Sequence, residues 1–183
     1  MKSIKNIRAL PYSLTLLADE IVEFHAARLL LLFKICGTEG YISGLTKMAK
    51  LDFFVRYPQF FTTACQALGK ETKSVSDTVE SSMVRYHYGP WDNRYYQVLA
   101  YLEARGLLIV KKEGNTFELA LTDLGTEIAG KLEKDAVYTK LIDQMQQVKQ
   151  AFGKMKGSQL KNLIYKVFDE QVAELSKGEV IKQ

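Results

Sequence analysis

The sequence predicts a mainly α protein with a small β-hairpin: a winged-helix domain over residues 1–135 and a C-terminal helical extension over 136–183. Three observations carry this. Apolar residues recur at spacings of three and four through most of the chain, the mark of amphipathic helices. One stretch, LLIVKKEGNTFELALT (107–122), instead places two β-rich runs around Gly114-Asn115, with Phe117, Leu119 and Leu121 alternating against polar neighbours. The element order, helix, short strand, helix, further helix, hairpin, helix, is that of a winged helix, with the helix at 92–105 directly before the wing at 107–121.

The first helical pattern is VEFHAARLLLLFKICGTEG (22–40), apolar on almost every side, which marks a central buried helix that Gly37 stops. A short extended piece at 41–43 leads into GLTKMAKLDFFVRYP (44–58). There Leu45, Met48 and Ala49, then Leu51, Phe54 and Val55, share one spacing, and Pro58 limits the helix because the residue before proline avoids helical angles. PQFFTTACQALG (58–69) continues as a helix with Phe61, Ala64, Cys65 and Leu68 as its inner stripe and Gly69 at its end. Residues 70–82, rich in Ser, Thr and charge, read as a mobile surface loop. Met83 to Tyr88 reads as extended and Gly89-Pro90 as its turn. Asp92 is the expected N-cap of a helix that carries Tyr95, Val98, Leu99 and Leu102 inward and stops at Gly106. After the wing, Thr122 or Asp123 caps the helix DLGTEIAGKLEK.

Beyond residue 136 two amphipathic patterns follow, Leu141, Met145, Val148 and Phe152, then Leu160, Ile164, Val167 and Leu175, separated by residues 153–158. They form a helical hairpin that either folds back on the first domain or offers its apolar stripe, Leu160, Ile164, Val167 and Phe168, to a partner.

Composition bounds function loosely. The chain has 183 residues, 47% of them hydrophobic and 25% charged, so it can bury one good core. The formal net charge of +4 permits nucleic acid or an acidic protein surface as a partner without demanding either. Most of it sits late. Residues 136–183 hold eight Lys and five acids, and the window 144–168 contains Lys149, Lys154, Lys156, Lys161 and Lys166 with no acid. Cys36 and Cys65 lie far apart within apolar helical patterns and read as buried thiols. The acids Asp19, Glu20 and Glu23 interrupt any signal-type run, and the longest apolar run, Leu29 to Phe33, falls far short of the ~20 residues a bilayer span needs, so the expected location is cytoplasmic.

Chemistry is thinly supplied. The two His, His25 and His87, form no HxxxH, and the chain has no CxxC and no Gly-rich phosphate loop, so no metal or cofactor is expected. A nucleophile and base assembled in space stays open, but nothing local points to an enzyme. His25 reads as a satisfied polar group on a core helix and His87 as a structural hydrogen-bonding group beside the turn.

Two surfaces are candidates for binding. Arg85, Tyr86, Tyr88, Gly89, Pro90, Trp91 and Asp92 form a corner that reads first as a rigid scaffold, its rings burying area while their polar edges find partners. A pocket for a base or for a partner's aromatic side chain is the alternative. On the following helix Arg94, Gln97, Tyr101 and Arg105 share a face, and Lys111 and Lys112 stand on the wing. A winged helix puts such residues in the major groove and on flanking phosphates, although Glu103 and Glu113 nearby also fit a plain solvated surface.

TKMAKLDFFVRYPQFF (46–61) and MVRYHYGPWDNRYYQVLAYLEARGLL (83–108) resemble the signatures of the middle component of ABC-three-component systems, as found in Lamassu antiphage defence. The resemblance spans about two thirds of the chain. It implies a non-catalytic accessory subunit that bridges an SMC-like coiled-coil ATPase and a nuclease-type effector. It leaves contact with double-stranded DNA open, and it makes Tyr88, Gly89, Pro90, Trp91 and Asp92 fold-defining or interface-forming. The alternative is a stand-alone winged-helix DNA-binding regulator or antitoxin.

Overall fold

A computed structural model describes residues 21–73, 82–114 and 116–181. The elements run α1 (Val22–Cys36), β1 (Tyr41–Ser43), α2 (Leu45–Arg56), α3 (Pro58–Ala67), β2 (Val84–Tyr86) and β3 (Gly89–Trp91). They continue with α4 (Tyr95–Ala104), β4 (Leu108–Glu113), β5 (Thr116–Leu121), α5 (Asp123–Leu132), α6 (Thr139–Phe152) and α7 (Gly157–Val167). The architecture is mainly helical with two small antiparallel sheets, one three-stranded in the order β1–β5–β4 and one a β2–β3 ribbon.

The apolar run of α1 is the axis of the molecule: Leu29 to Phe33 are all buried, and α2, α4, α5, α6 and the sheet pack around them. A helix apolar on every side can be stable in water only when covered on every side. Against it the sheet presents Ile42 and Leu119, opposite each other in register and both buried, with Val110 beside Leu119 on the outer strand. Tyr57 breaks the helix between α2 and α3 at φ −123° and ψ 77°, and Pro58 restarts it at the first helical position, where its missing N–H costs nothing. Thr122 caps α5 by accepting from Gly125 N–H at 2.9 Å. Gly125 itself lies so close to the start of β4 that a Cβ would sit 1.9 Å from the Leu107 carbonyl oxygen, so no other residue fits.

The segment from residue 136 packs on the rest of the chain. The helices α6 and α7 join one continuous core with α1–α3, and Leu160, Ile164 and Phe168 are buried in it, with Val167 partly covered. Of the two placements open to the stripe, against the rest of the chain or against a partner, the chain takes the first. The reason is the aromatic surface of α2 and α3: Phe54 meets Phe152 at 4.7 Å between ring centroids, Phe61 meets Phe152 at 5.4 Å and Phe60 meets Phe168 at 4.7 Å. Covering those rings from within the same chain avoids the translational and rotational cost of recruiting a second one. Beyond α7 a π-helical turn (Asp169–Ala173) brings the chain back along β2, where Arg85 N–H donates to the Glu179 carbonyl at 2.8 Å and Ile181 N–H to the Met83 carbonyl at 2.9 Å.

Smaller corrections follow from packing. Phe60 rather than Leu68 completes the inner face of α3, and Leu68 is 43% exposed beyond the end of the helix. Gly89-Pro90 is not the turn: the ribbon reverses at His87-Tyr88, and Gly89 and Pro90 are the first residues of β3, paired with Tyr86 and Arg85. Of the expected loop at 70–82, residues 74–81 lie outside the described residues, and 70–73 carry no helix or strand. Among the described residues, no helix is long and apolar enough to cross a membrane.

Candidate functional site

The runs 46–61 and 83–108 meet. Lys50, Asp52 and Arg56 lie on α2 among Leu51, Phe53, Phe54 and Val55; Asp52 and Arg56, one turn apart, share a face and Lys50 lies on another, and because the helix is covered on nearly every side each is no more than 2% exposed. Charges so placed are tolerable only when paired and hydrogen-bonded. Their partners come from α1 and from the segment that opens α4. Asp52 accepts from Arg28 Nε at 3.0 Å, from Arg28 Nη2 at 3.3 Å and from the Tyr95 hydroxyl at 2.7 Å. Asp92 accepts from Arg56 Nη1 at 2.7 Å and takes a bidentate grip from Arg94, Nε at 2.8 Å and Nη2 at 2.9 Å. His25 stands between Arg28 Nη1 at 2.9 Å and Arg94 Nη1 at 3.1 Å; a neutral imidazole accepts at one nitrogen, so one of the two guanidiniums donates to it, and it is the buried polar group its helix position implied.

Alongside this network, Lys50 Nζ donates to the Pro90 carbonyl at 2.8 Å, and the Tyr57 hydroxyl accepts from Met83 N–H at 2.6 Å. Each run therefore completes the other: α2 supplies Lys50, Arg56 and the Asp52 carboxylate, 83–95 supplies the Asp92 carboxylate, the Arg94 guanidinium, the Tyr95 phenol and the Pro90 carbonyl, and α1 adds Arg28. Asp92 is not the N-cap of α4, a position held by Arg94. It accepts from Arg94 N–H at 3.0 Å and tightens the turn ahead of the helix while serving the network.

The electrostatics follow the burial. Burial alone would raise the Asp92 pKa, but the hydrogen bonds from Arg94 and the charge of Arg56 outweigh it and hold the carboxyl well below the usual carboxylate range. Burial, reinforced by Asp52, pushes the Tyr95 phenol well above its ordinary value, so it stays a donor. The Cys36 thiol, desolvated in the core, is pushed up to about 12 and is inert. Lys50 differs: burial, with Lys161 adding like charge, lowers its pKa to about 7.

Outside this buried layer the corner is open. Tyr86, Tyr88 and Tyr96 are 40%, 61% and 59% exposed around Trp91, which is itself almost buried. Tyr86 stacks on Trp91 at 5.9 Å and 29°, Tyr96 meets Trp91 at 5.5 Å, and Tyr95 closes the inner edge of the indole at 5.0 Å. Between these rings, the start of α2 and Phe117 of β5 lies a cleft of about 480 Å³, with Lys50 among its lining residues. His87 sits exposed at the turn. Its ring lies edge-on to Tyr86, and its carbonyl, rather than the imidazole, accepts from the Tyr165 hydroxyl at 3.5 Å.

The face expected to touch DNA is divided. Gln97, Arg105, Lys111 and Lys112 are exposed, whereas Arg94 is half-buried and its guanidinium is hydrogen-bonded to Asp92 within the network. Tyr101 is partly covered, its hydroxyl donating to Glu23 at 3.3 Å, and the Arg105 guanidinium lies 5.1 Å from its ring. Sequence reasoning passed over Arg28, Lys50, Asp52 and Arg56. Their signal was present as charges embedded in apolar helical runs, which have to be paired inside the fold. Comparison of the chain with protein-family models, with curated proteins and with solved structures found no match.

Proposed function

We propose that the chain is a non-catalytic accessory subunit of an SMC-like ATPase defence complex, bridging the ATPase and its nuclease effector. The observation that carries this reading is the interlock of 46–61 with 83–95. The residues most characteristic of the resemblance are used as a buried scaffold, and the ionisable groups in that scaffold are committed to one another rather than to acid–base or nucleophilic work. Such an investment in rigidity suits a part that holds others in place. With the apolar stripe of α7 turned inward, partner contact falls to the exposed lysines Lys149, Lys154, Lys156 and Lys166 on α6, α7 and their connection, which complement an acidic protein surface or phosphate.

The fold reading that accompanies this is a winged helix. It is supported by the sheet order β1–β5–β4 and by α4 running directly into β4 through Gly106-Leu107. The same arrangement favours a second reading, a stand-alone DNA-binding regulator, through the exposed Gln97, Arg105, Lys111 and Lys112. Affinity purification of the tagged chain from its own locus, with mass spectrometry and particle mass in solution, separates the two. A stable complex with a long coiled-coil ATPase is expected, and a lone monomer or dimer would overturn the accessory reading in favour of the regulator.

A further inference from the structure

The cleft beneath the aromatic corner borders the scaffold through Lys50 and Trp91 and lies apart from the exposed lysines of α6 and α7. Its volume, about 480 Å³, is that of a small-ligand site. Three features describe what would fill it. Tyr86, Trp91, Tyr96 and Phe117 line it with aromatic faces and edges. Lys47, Lys50 and His87 line it too, and among the described residues no Asp or Glu does, in a chain that contains 21 acids. The first turn of α2 also opens on it, preceded by Gly44, without a side-chain cap and without an acid among its residues. Backbone N–H groups at such a turn lack intrahelical partners and favour an anion.

Lys50 is held for use rather than consumed. Its hydrogen bond to the Pro90 carbonyl leaves two of the three ammonium N–H groups for a ligand. Gly89 lies next to Pro90 on the ribbon. It adopts φ +97°, which side-chain-bearing residues rarely do, and it stands beside the Lys50 ammonium.

We propose that this cleft binds a nucleotide, its base stacked among Tyr86, Trp91 and Tyr96 and its phosphate held by Lys50, Lys47 and the first-turn N–H groups of α2. Aromatic faces without an acid to bond a particular base edge recognise any base by stacking. A phosphate, with several acceptor oxygens, matches two amines and a helix N-terminus better than one carboxylate of an acidic peptide would. The nucleotide is either free or one unit of a nucleic-acid strand, and both offer the same base and phosphate.

Trp91, the only tryptophan in the chain, reports on the site directly. The intact chain is titrated with adenosine 5′-monophosphate, with a 5′-phosphorylated tetradeoxyadenylate, with adenosine, with inorganic phosphate and with the peptide Glu-Tyr-Glu, following Trp91 fluorescence. Saturable quenching by the monophosphate or the oligonucleotide is expected, tighter than by adenosine or phosphate alone. Preference for the oligonucleotide identifies a strand as the source, and preference for the monophosphate a free nucleotide. Lys50→Met and Tyr96→Ala should each weaken binding by about tenfold. Because Lys50 is buried, Tyr96→Ala, at an exposed ring, is the decisive variant, with a thermal melt to verify its fold. Absence of saturation at millimolar ligand, unchanged affinity in Tyr96→Ala, or tighter binding of the peptide would each overturn the proposal. The titration uses the isolated chain, so its failure leaves the accessory-subunit reading standing, and the absence of an ATPase in the purification leaves the cleft standing.

Discussion

Arg94 and Gln97 lie one helical turn apart at the start of α4, and the sequence offered both for the same surface. Arg94 grips a buried carboxylate from two directions and contacts His25, while Gln97 reaches solvent with Lys111 and Lys112 beyond it. The inner cluster, Arg28, Asp52, Arg56, Asp92, Arg94 and Tyr95, and the outer face of α4 and β4 draw on similar residue types. What separates them is whether an opposite charge lies within reach inside the protein. A cation hydrogen-bonded to a desolvated carboxylate is structure, and the same cation in water is a contact waiting for a partner.

The contrast is sharpest when one member is removed. Asp92→Ala would leave Arg56 buried without its 2.7 Å partner, and a loss of about 3–5 kcal/mol is expected in urea denaturation. That is a large share of the about 5–15 kcal/mol typical of a whole domain. A change near zero would mean that the inner cluster is as dispensable as the outer face. Leu160→Ala follows, with a loss of about 2–5 kcal/mol by the same measurement, because the side chain is fully buried. Any loss of partner binding in that variant would then come with loss of fold, whereas an unchanged midpoint would return the stripe to the outside.

Lys50 gives an intermediate effect read through pH. Its pKa is lowered to about 7 from an ordinary 10.5, so between these values the unfolded chain binds a proton that the folded chain does not. Stability therefore rises with pH through that window, and the cost of burying the charge is fully present below about pH 7. Lys50→Met should flatten the rise between about pH 7 and 10, which a series of denaturant midpoints would detect. Asp92 acts at the other end: its depressed pKa contributes stability above the usual carboxylate range that is lost as the solution is acidified. The smallest effect belongs to the outer face. Lys111→Glu with Lys112→Glu should move stability by no more than about 0.5 kcal/mol. If the wing touches phosphates, the pair should weaken duplex binding and lower its salt dependence by about one ion for each phosphate no longer neutralised. An unaltered duplex affinity would leave the regulator reading without its main support.

Much of this molecule was legible along the chain. The spacing of Leu29 to Phe33, the alternation about Gly114, the proline break at 57–58 and the Thr122 cap are local signals, and each element formed where its signal lay. The corner reads in sequence as a scaffold with a binding pocket as its alternative; the structure has a locked inner side and, beside it, an open cleft. The turn within it was misplaced by two residues because Gly-Pro is a turn signal only until a neighbouring strand gives Gly89 and Pro90 a pairing partner. The C-terminal stripe was legible as amphipathic but not as inward, since an apolar face does not state which surface it covers.

Periodicity and breakers act over a few residues, so the sequence by itself determined the helices, the hairpin and the apolar faces. Only the tertiary structure decided which charge meets which. Arg56 lies one turn from Asp52 and Arg94 two residues from Asp92, but Asp52 and Asp92 are 40 residues apart, and nothing local says that these two pairs and Arg28 converge. Burial turns that convergence into a condition for folding, because a charge removed from water is stable only beside its partner. The cleft has the same origin: rings from 86–96, the amine of Lys50 and Phe117 become one site only when α2, the β2–β3 ribbon and β5 pack together.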